Sequence, residues 1–410
     1  MTNVDPRVER GRVIAASKKL RDVGDGKWLV LSQSKPRTKY TVDAGMQSCT
    51  CPDYETWELP CKHVYAVKFF QVPQELQVVN ERQHEVPVMP RPQYEQNWAA
   101  YNRAQIHEKE YFQILLQGLC DDLEEPKQTR GRPRIPLADA VYSAVMKVYT
   151  TQSGRRASTD IRHCLAKGLV EHAPAHNSIS RILGQESLTP ILKQMIEVSA
   201  SPLRALESDF AIDGTGFSTS TYDRWFDYKY GKESGRKQRW IKCHALIGTL
   251  TNVVTSVEVT ESYVNDTTQL PELVARSAQN FDMQRLSADK AYLSITNLSV
   301  LGKAGVEPFI PFKSNSTGAG SVGPWRKMWH LFWFKRDEFL KNYHRRSNVE
   351  STFSAIKRKF GGSVRSKDFV AQTNEVLCKV LAFNLTVLIQ EMHERGIDPE
   401  FWTGPKVALQ

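Results

Sequence analysis

Apolar and polar residues follow one another along this chain with two different periods, and each period predicts a different kind of element. Short apolar runs between polar turns predict two strands near the start of the chain, at 28–31 and 40–42. Stretches with an apolar residue at every third or fourth position predict helices. Before residue 206 the predicted helices are 63–70, 94–120, 137–149, 158–167, 178–183 and 188–199.

From residue 206 onwards, predicted strands are mixed with predicted helices. The apolar run 210–212 ends in a turn at Asp213 and Gly214, and the run 243–259 is broken near 248–252 as a hairpin would be. Further strands are predicted at 225–230, 285–288 and 308–312, and helices at 269–279, 343–360 and 373–393. Strands mixed with helices, and then helices alone, indicate an α/β or α+β domain.

Changes in composition divide the chain into five segments. Prolines without a hydrophobic period mark a linker after residue 70, and a second, basic linker precedes residue 137. We expect a small first module, a linker region with one helix, a helix-turn-helix-like region, a larger mixed domain and a tail: 1–70, 71–136, 137–205, 206–392 and 393–410. A chain of 410 residues also exceeds the usual size of a single core.

The net charge indicates the kind of partner. Lys and Arg number 55 against 45 Asp and Glu, which gives a formal charge of +10 and a pI near 9.1. Such a surplus favours polyanions, either nucleic acid or an acidic membrane surface. The sequence shows no apolar run of transmembrane length and no apolar segment of signal-peptide type, so we expect no membrane and a cytoplasmic location.

Three of the seven cysteines lie close together in the first module. Cys49 and Cys51 form one pair, and Cys61 and His63 form another after nine intervening residues. Three thiolates and one imidazole suffice for a closed tetrahedral Zn²⁺ site, and a reducing compartment favours metal binding over disulfides. The alternative, unligated thiols, does not explain four ligand-type residues within fifteen positions.

This cysteine and histidine pattern, with Cys-Pro-Asp-Tyr-Glu starting at the second cysteine and Cys-Lys-His before a helix, resembles the SWIM zinc-binding domain. The resemblance implies one structural zinc ion and a module that binds DNA or another protein. A structural zinc ion contributes folding energy and takes no part in catalysis.

Two stripes of side chains run along the predicted helix 343–360. At about 100° per residue, one stripe is apolar and would dock the helix on a core: Val349, Phe353, Ile356 and Phe360. The other combines a carboxylate with cations and a phenol: Tyr343, Arg346, Glu350 and Lys357. This second stripe is suited to a metal ion and a phosphodiester, and the plainer alternative is a solvated charged face.

Two aspartates at predicted strand ends, Asp213 and Asp289, can join Glu350 in one site. Phosphodiester chemistry with Mg²⁺ needs two or three converging carboxylates that hold ions about 3.5–4 Å apart. Aspartates also cap strand-to-turn transitions, and this is the alternative for each of them taken singly. The set in this order, with the last member on a basic helix, favours the metal site.

The spacing within the second stripe is specific. Tyr343 is followed after two residues by Arg346, after three more by Glu350 and after six more by Lys357. This spacing resembles the Y-R-E-K signature of the DDE insertion-sequence transposases.

The resemblance extends to the two aspartates. Asp213-Gly-Thr resembles the segment around the first aspartate of that family, and Asp289-Lys-Ala-Tyr292 resembles the D-x-x-Y around the second. The segment 239–244, just before the predicted hairpin, is also similar to the family. The similarity covers about 206–392.

Fold and activity follow from this resemblance as expectations. It implies an α/β, ribonuclease-H-like catalytic domain that cleaves and then transfers DNA strands at transposon ends. Two Mg²⁺ or Mn²⁺ ions would be held by Asp213, Asp289 and Glu350. Double-stranded DNA would be the partner, bound by a homodimer in the cytoplasm, at the nucleoid. Three members of the second stripe would contact DNA: Tyr343, Arg346 and Lys357.

Two further basic segments are candidate DNA contacts. Residues 224–242, which include Arg239 and Lys242, carry seven Lys or Arg against two acidic residues, with aromatic residues between them. An exposed hairpin without DNA is the alternative there. Arg130 and Arg132, in the second linker, match the core of an AT-hook that enters the minor groove, and a solvated basic linker is the alternative.

Three functions are therefore compatible with the sequence. The first is an active DDE transposase. The second is a zinc-containing DNA-binding protein without catalysis, such as a domesticated or decayed transposase. The third is a zinc-containing nuclease that hydrolyses nucleic acid without strand transfer. The three acidic residues favour the first function over the second, since a non-catalytic binder has no need of them.

Overall fold

The computed structural model describes residues 6–17, 20–33, 38–57, 60–71, 97–127, 131, 133–219, 240–313, 316 and 323–401. Two compact units make up the chain, Met1–Glu95 and Gln96–Gln410. Four predictions lie outside the described residues: the strand 225–230, Arg130, Arg132 and Arg239.

The first unit is a small antiparallel sheet with helices on it. Its elements are α1 Pro6–Ala16, β1 Leu20–Gly24, β2 Lys27–Leu31, β3 Lys39–Asp43, β4 Ser48–Cys49, α2 Pro52–Trp57 and α3 Lys62–Gln71. The strands are ordered β1-β2-β3-β4 and all neighbours are antiparallel. The predicted strands at 28–31 and 40–42 and the predicted helix at 63–70 are confirmed.

Helix α1 packs closely against α3. A methyl group on Gly11 would lie 2.6 Å from Cβ of Tyr65, so only glycine allows this approach of the two backbones. The buried core of this unit is small, and three of its members are the clustered cysteines: Ile14, Leu20, Val30, Val42, Cys49, Cys51, Cys61, Val64, Ala66 and Val67. A core of this size generally needs a covalent or metal crosslink.

The second unit begins with five helices, followed by a 3₁₀ turn at Ser201–Leu203. The helices are α4 Trp98–Asp121, α5 Leu137–Tyr149, α6 Gly154–Ala166, α7 His176–Leu183 and α8 Leu188–Ala200. Helix α5 has the predicted bounds. Helices α6 and α7 begin earlier than predicted, and the hydroxyl of Ser158, at the predicted start, donates to the carbonyl of Gly154 inside α6.

A five-stranded sheet follows the helices. Its strands are β5 Asp209–Ser218, β6 Trp240–Gly248, β7 Val254–Glu261, β8 Arg285–Ala288 and β9 Glu307–Phe309. The spatial order is β7-β6-β5-β8-β9, with β5, β6 and β7 antiparallel and β5, β8 and β9 parallel. This is the order and direction of a ribonuclease-H-like sheet, and the predicted α/β fold class is confirmed.

Strand β5 is longer than predicted. The turn expected at Asp213 and Gly214 is wrong, because β6 pairs with β5 from Phe210 to Ser218 without a break. Pairing with β6 satisfies the backbone groups of the Asp-Gly-Thr-Gly segment that face this strand, and it keeps the segment extended. Asp213 therefore lies within a strand and not in a turn after it.

Helices connect and follow the strands of the sheet. They are α9 Leu270–Ser277, α10 Ile295–Lys303, α11 Gly323–Phe334, α12 Arg336–Tyr343, α13 Ser347–Phe360 and α14 Phe369–Arg395. The single helix predicted over 343–360 is wrong in one respect: α12 ends at Tyr343, and a 3₁₀ turn, His344–Arg346, separates it from α13. The predicted apolar stripe of α13 is buried throughout.

Helix α14 is the central helix of this unit. It contacts α4, α5, α7, α8 and β7, and it is buried on all sides over most of its length. By length and composition it could cross a membrane, but 72% of its apolar window is buried inside the protein. Several of its polar residues are paired in the interior: the amide of Asn384, for example, contacts both the N–H and the C=O of Val254.

Residues of the helices α4 to α8 and of the sheet belong to one continuous hydrophobic cluster. Leu192 of α8, Ile212 of β5 and Leu381 of α14 are all fully buried members of it. The division expected at 205/206 stays a prediction, and the packing shows that the segments on its two sides share one core.

Candidate functional site

The two candidate aspartates lie side by side at the centre of the sheet. Asp213 is on β5 and Asp289 directly follows β8. These strands are parallel, and Ile212 is paired with Ala288. Asp213 follows Ile212 and Asp289 follows Ala288, so the two aspartates are neighbours. The strand register thus brings together two carboxylates that are distant in sequence.

Glu350 approaches the same place from the first turn of α13. The apolar stripe of that helix holds it on the core, and Val349, next to Glu350, is fully buried. The side chain of Glu350 itself is 58% exposed. The third carboxylate is thus fixed by a packed helix and remains accessible from solvent.

Arg346 links the first and third carboxylates of the site, Asp213 and Glu350. Its Nη1 donates to Oδ2 of Asp213 at 3.0 Å, and its Nη2 donates to Oε1 of Glu350 at 2.5 Å. The side chains of Arg346 and Asp213 are only 20% and 24% exposed, so these contacts are partly shielded from water. One guanidinium therefore neutralises two of the three candidate carboxylates.

The pKa of Asp213 reflects its burial near two other carboxylates. Burial raises the pKa of Asp213 to about 6, and the charges of Asp289 and Glu350 act in the same direction. The backbone N–H of Gly214, at 2.8 Å, and the guanidinium of Arg346 act against the rise. The site is short of positive charge, which a bound cation would supply.

The donor set fits a hard divalent cation. Carboxylate oxygens are the ligands that Mg²⁺ and Mn²⁺ prefer. In the part of the chain that the structure describes, the only group with three ligand atoms within 4.8 Å is the cysteine and histidine cluster. Arg346 bonds both Asp213 and Glu350 and so occupies carboxylate oxygens that a shared ion would use.

The 3₁₀ turn before α13 is anchored to β5 by two consecutive arginines. Arg345 pairs with Asp209 near the start of the strand, and Arg346 pairs with Asp213 further along it. Arg285 of β8 also pairs with Asp209, at 2.5 Å. These pairs account for the interruption of the predicted helix. The sequence analysis missed the roles of Asp209 and Arg345, since only the tertiary structure brings them together.

The other two members of the predicted stripe flank the site. Tyr343 stacks on Phe339 with ring centroids 5.9 Å apart, and the guanidinium of Arg346 lies 6.0 Å from its ring centre. Lys357 donates to Oγ1 of Thr215 on β5 at 2.7 Å. The side chain of Lys357 therefore faces the strand that carries Asp213. Their contacts with DNA stay predictions.

Lys242 is engaged within the protein. Its ammonium donates to the carbonyl of Val264 at 2.8 Å and lies 3.3 Å from Oδ1 of Asp266. The same carboxylate oxygen is 3.3 Å from Nδ1 of the buried His244. Asp266 was not singled out in the sequence because nothing in its spacing relates it to the other acidic residues. Its position beside β6 and β5 is a product of the fold.

The four predicted zinc ligands converge in the first unit. Their ligand atoms lie within 4.8 Å of one another and all four side chains are buried: Cys49, Cys51, Cys61 and His63. Nδ1 of His63 is 3.7 Å from the sulfur of Cys61 and 3.9 Å from that of Cys49. Strand β4 ends at Cys49 and α3 begins one residue after Cys61, so a hairpin and a helix fix the two pairs.

Crowding of the thiols favours a cation at this cluster. A hydrogen bond shared by Cys49 and Cys61 lowers the pKa of Cys61 to about 3 and raises the pKa of Cys49. Three buried thiolates repel one another in the absence of positive charge. The donor set and its tight grouping fit Zn²⁺, which would remove this repulsion.

Comparison with known families agrees with each of the two candidate sites. Residues 204–385 match the family model described as the transposase DDE domain, and this range contains the three acidic residues together with Arg346 and Lys357. Residues 40–70 match the SWIM zinc finger, and this range contains all four cysteine and histidine ligands. The chain therefore carries a DDE transposase domain, preceded by a SWIM zinc finger.

Proposed function

We propose that this protein binds the terminal inverted repeats of a transposon and catalyses metal-dependent cleavage and transfer of its DNA strands. The observation that supports this most directly is the arrangement of Asp213 on β5, Asp289 after β8 and Glu350 on α13 around Arg346. The match of this region to the transposase DDE domain supports the same class of reaction.

The carboxylates define where the chemistry would occur. Asp213 and Asp289 would hold divalent ions at the sheet, and Glu350 would complete one coordination shell from the helix. Bound Mg²⁺ or Mn²⁺ would supply Lewis acidity at the attacking and leaving oxygens of a phosphodiester. The burial of Asp213 places this chemistry where water is partly excluded and electrostatic interactions are stronger.

Two cations of the chain would hold the DNA strand. Arg346 would exchange Asp213 and Glu350 for a phosphate, whose two oxygens suit a bidentate guanidinium. Lys357 would contact a second phosphate from its position beside Thr215. Arg346 would then release the two carboxylates at the moment when it binds DNA.

The remaining expectations belong to the same proposal. The protein would act on double-stranded DNA as a homodimer and would be found in the cytoplasm, associated with the nucleoid. The SWIM zinc finger would bind one structural Zn²⁺ through its four ligands and would contact DNA or a second protein. Arg130, Arg132, Arg239 and Lys242 are further candidate DNA contacts.

The test uses the zinc-loaded full-length protein with Mg²⁺ or Mn²⁺ and linear DNA that carries the inverted repeats flanking its gene. We expect cleavage at the repeat ends and joining of the cut ends to a supercoiled target plasmid. The variant Asp289→Asn, which keeps size and loses charge, should do neither. Cleavage by this variant at the parent's rate would overturn the assignment of the site.

The same assay separates the other two functions. Cleavage without joining, even with pre-cut ends, would indicate a nuclease. Specific binding of the repeats without any cleavage would indicate a DNA-binding protein that has lost its catalysis.

A further inference from the structure

The phenol of Tyr292 is buried at the acidic site without a partner. The residue is 1% exposed, and its hydroxyl has no hydrogen-bond partner within the described part of the chain. A buried tyrosine hydroxyl normally finds a partner, since leaving it unpaired costs about 1–3 kcal/mol. This hydroxyl is therefore available to a ligand that the protein alone does not provide.

Its surroundings identify the kind of ligand. Tyr292 ends a 3₁₀ turn that Asp289 caps, and its own N–H donates to the carbonyl of Asp289 at 2.9 Å. Burial raises the pKa of Tyr292 well above its usual value, and the charges of Asp213, Asp266 and Asp289 raise it further. The hydroxyl therefore lies near acidic side chains. It keeps its proton at neutral pH and acts as a donor.

The turn that carries Tyr292 is held in place. The amide nitrogen of Asn297 donates to the carbonyl of Tyr292 at 2.9 Å and to that of Thr267 at 3.1 Å. The hydroxyl of Thr267 in turn donates to the carbonyl of Ala291. These bonds join the turn after β8 to the turn after β7, so the phenol is positioned before any ligand arrives.

Asp266 lies close to the strand that carries Asp213. A methyl group on Gly214 would lie 3.1 Å from Oδ1 of Asp266, so this carboxylate rests against the residue that follows Asp213. Lys242 holds it there at 3.3 Å. None of these carboxylates is hydrogen-bonded to the hydroxyl of Tyr292.

We propose that Tyr292 is a positioning residue of the metal site, whose hydroxyl donates a hydrogen bond to a carboxylate oxygen of Asp213 or Asp289 once these residues hold a divalent ion. The proposal rests on the proposed function, since it requires that these aspartates bind metal. Ligating carboxylates usually carry such outer hydrogen bonds, which orient them, and their removal typically costs about 10- to 100-fold in metal affinity.

The variant Tyr292→Phe tests this, because it removes the hydroxyl alone. Binding of Mn²⁺ to the zinc-loaded full-length protein is measured by electron paramagnetic resonance of the free ion, without DNA. The melting temperature is measured without Mn²⁺. We expect a loss of affinity of about 10- to 100-fold and a melting temperature that is unchanged or higher, since an unpaired hydroxyl contributes nothing to the metal-free fold.

Unchanged Mn²⁺ affinity in Tyr292→Phe would overturn the proposal. A lower melting temperature without metal, together with unchanged affinity, would assign the hydroxyl a structural role. Tyr142→Phe is the matched control: this phenol is equally buried and donates to the sulfur of Cys164, so its loss should leave Mn²⁺ affinity alone. If Asp289→Asn binds Mn²⁺ as tightly as the parent, it is the metal site of the proposed function that fails.

Discussion

Nη1 of Arg346 donates a 3.0 Å hydrogen bond to Oδ2 of Asp213, although 133 positions separate the two residues in sequence. The other terminal nitrogen of the same guanidinium holds Glu350. The arginine thus balances the charge of the carboxylates in the metal-free protein. It is also the residue that the proposed function assigns to a DNA phosphate, so metal binding and DNA binding would both break these same internal contacts and would favour each other.

Replacement of Arg346 by Met should strengthen Mn²⁺ binding in the absence of DNA. The ion would no longer displace a cation, and a partly exposed ion pair of this kind corresponds to about two- to fivefold in affinity. Binding of the repeat DNA should weaken at the same time. Titration with Mn²⁺ and a DNA mobility assay measure the two effects. Arg345→Met is the control, because Arg345 pairs with Asp209 and not with the candidate ligands. Weaker Mn²⁺ binding in Arg346→Met would contradict this role.

Replacement of Cys61 by Ser should abolish zinc binding and unfold the first unit. Its core is small, and Cys61 is fully buried within it next to His63. We expect bound zinc to fall from about one ion per chain to near zero, as measured by mass spectrometry of the metal. The circular dichroism of a separately expressed second unit provides the reference for the loss of structure. Cys378→Ala changes a buried thiol outside the cluster and should keep its zinc. Zinc retained by Cys61→Ser would exclude this residue as a ligand.

Replacement of Lys357 by Ala should weaken binding to the repeat DNA and flatten its dependence on salt. Loss of one phosphate contact lowers the slope of log K against log salt by about 0.9. The comparison is made by fluorescence anisotropy over a range of KCl concentrations. Lys359→Ala is the matched control on the same helix, since Lys359 pairs with Glu108 and lies two residues, or about 200°, further round the helix than Lys357. Equal slopes for Lys357→Ala and the parent would leave Lys357 with a role inside the protein only.

Stability should depend on pH through Lys379. Its ammonium is buried and donates to the carbonyls of Gly361 and Ser363 at 2.9 and 2.6 Å. Burial lowers its pKa to about 8 from 10.5, against the opposing charge of Glu375. Because the folded pKa is depressed, the unfolded chain binds more protons between these values, and stability rises with pH there.

The parent should therefore gain about 1 kcal/mol in free energy of unfolding relative to Lys379→Met between pH 7 and pH 9. Urea denaturation at both pH values gives this difference directly. The exposed Lys341→Met should show no such change against the parent. A constant difference between the parent and Lys379→Met would mean that Lys379 has an ordinary pKa in the folded protein.

The sequence by itself determined the local features of this protein. Helix α5 has its predicted bounds, and the apolar stripe of α13 is the buried one, because helical periodicity depends only on neighbours a turn apart. The cysteine and histidine ligands were also readable, since the two pairs lie within fifteen positions. Closely spaced residues of special chemistry keep their relationship whatever the rest of the chain does.

Tertiary structure decided the relationships between distant residues. The extension of β5 past Asp213 required β6 along its whole length, and a local reading of Asp-Gly predicts a turn instead. The 3₁₀ turn before α13 follows from the pairs that Arg345 and Arg346 make with β5. The burial of the Tyr292 hydroxyl without a partner is also a property of the tertiary structure, in which Asn297 joins the turns after β7 and β8. Strand register and long-range packing set these distances, and neither is encoded within one element.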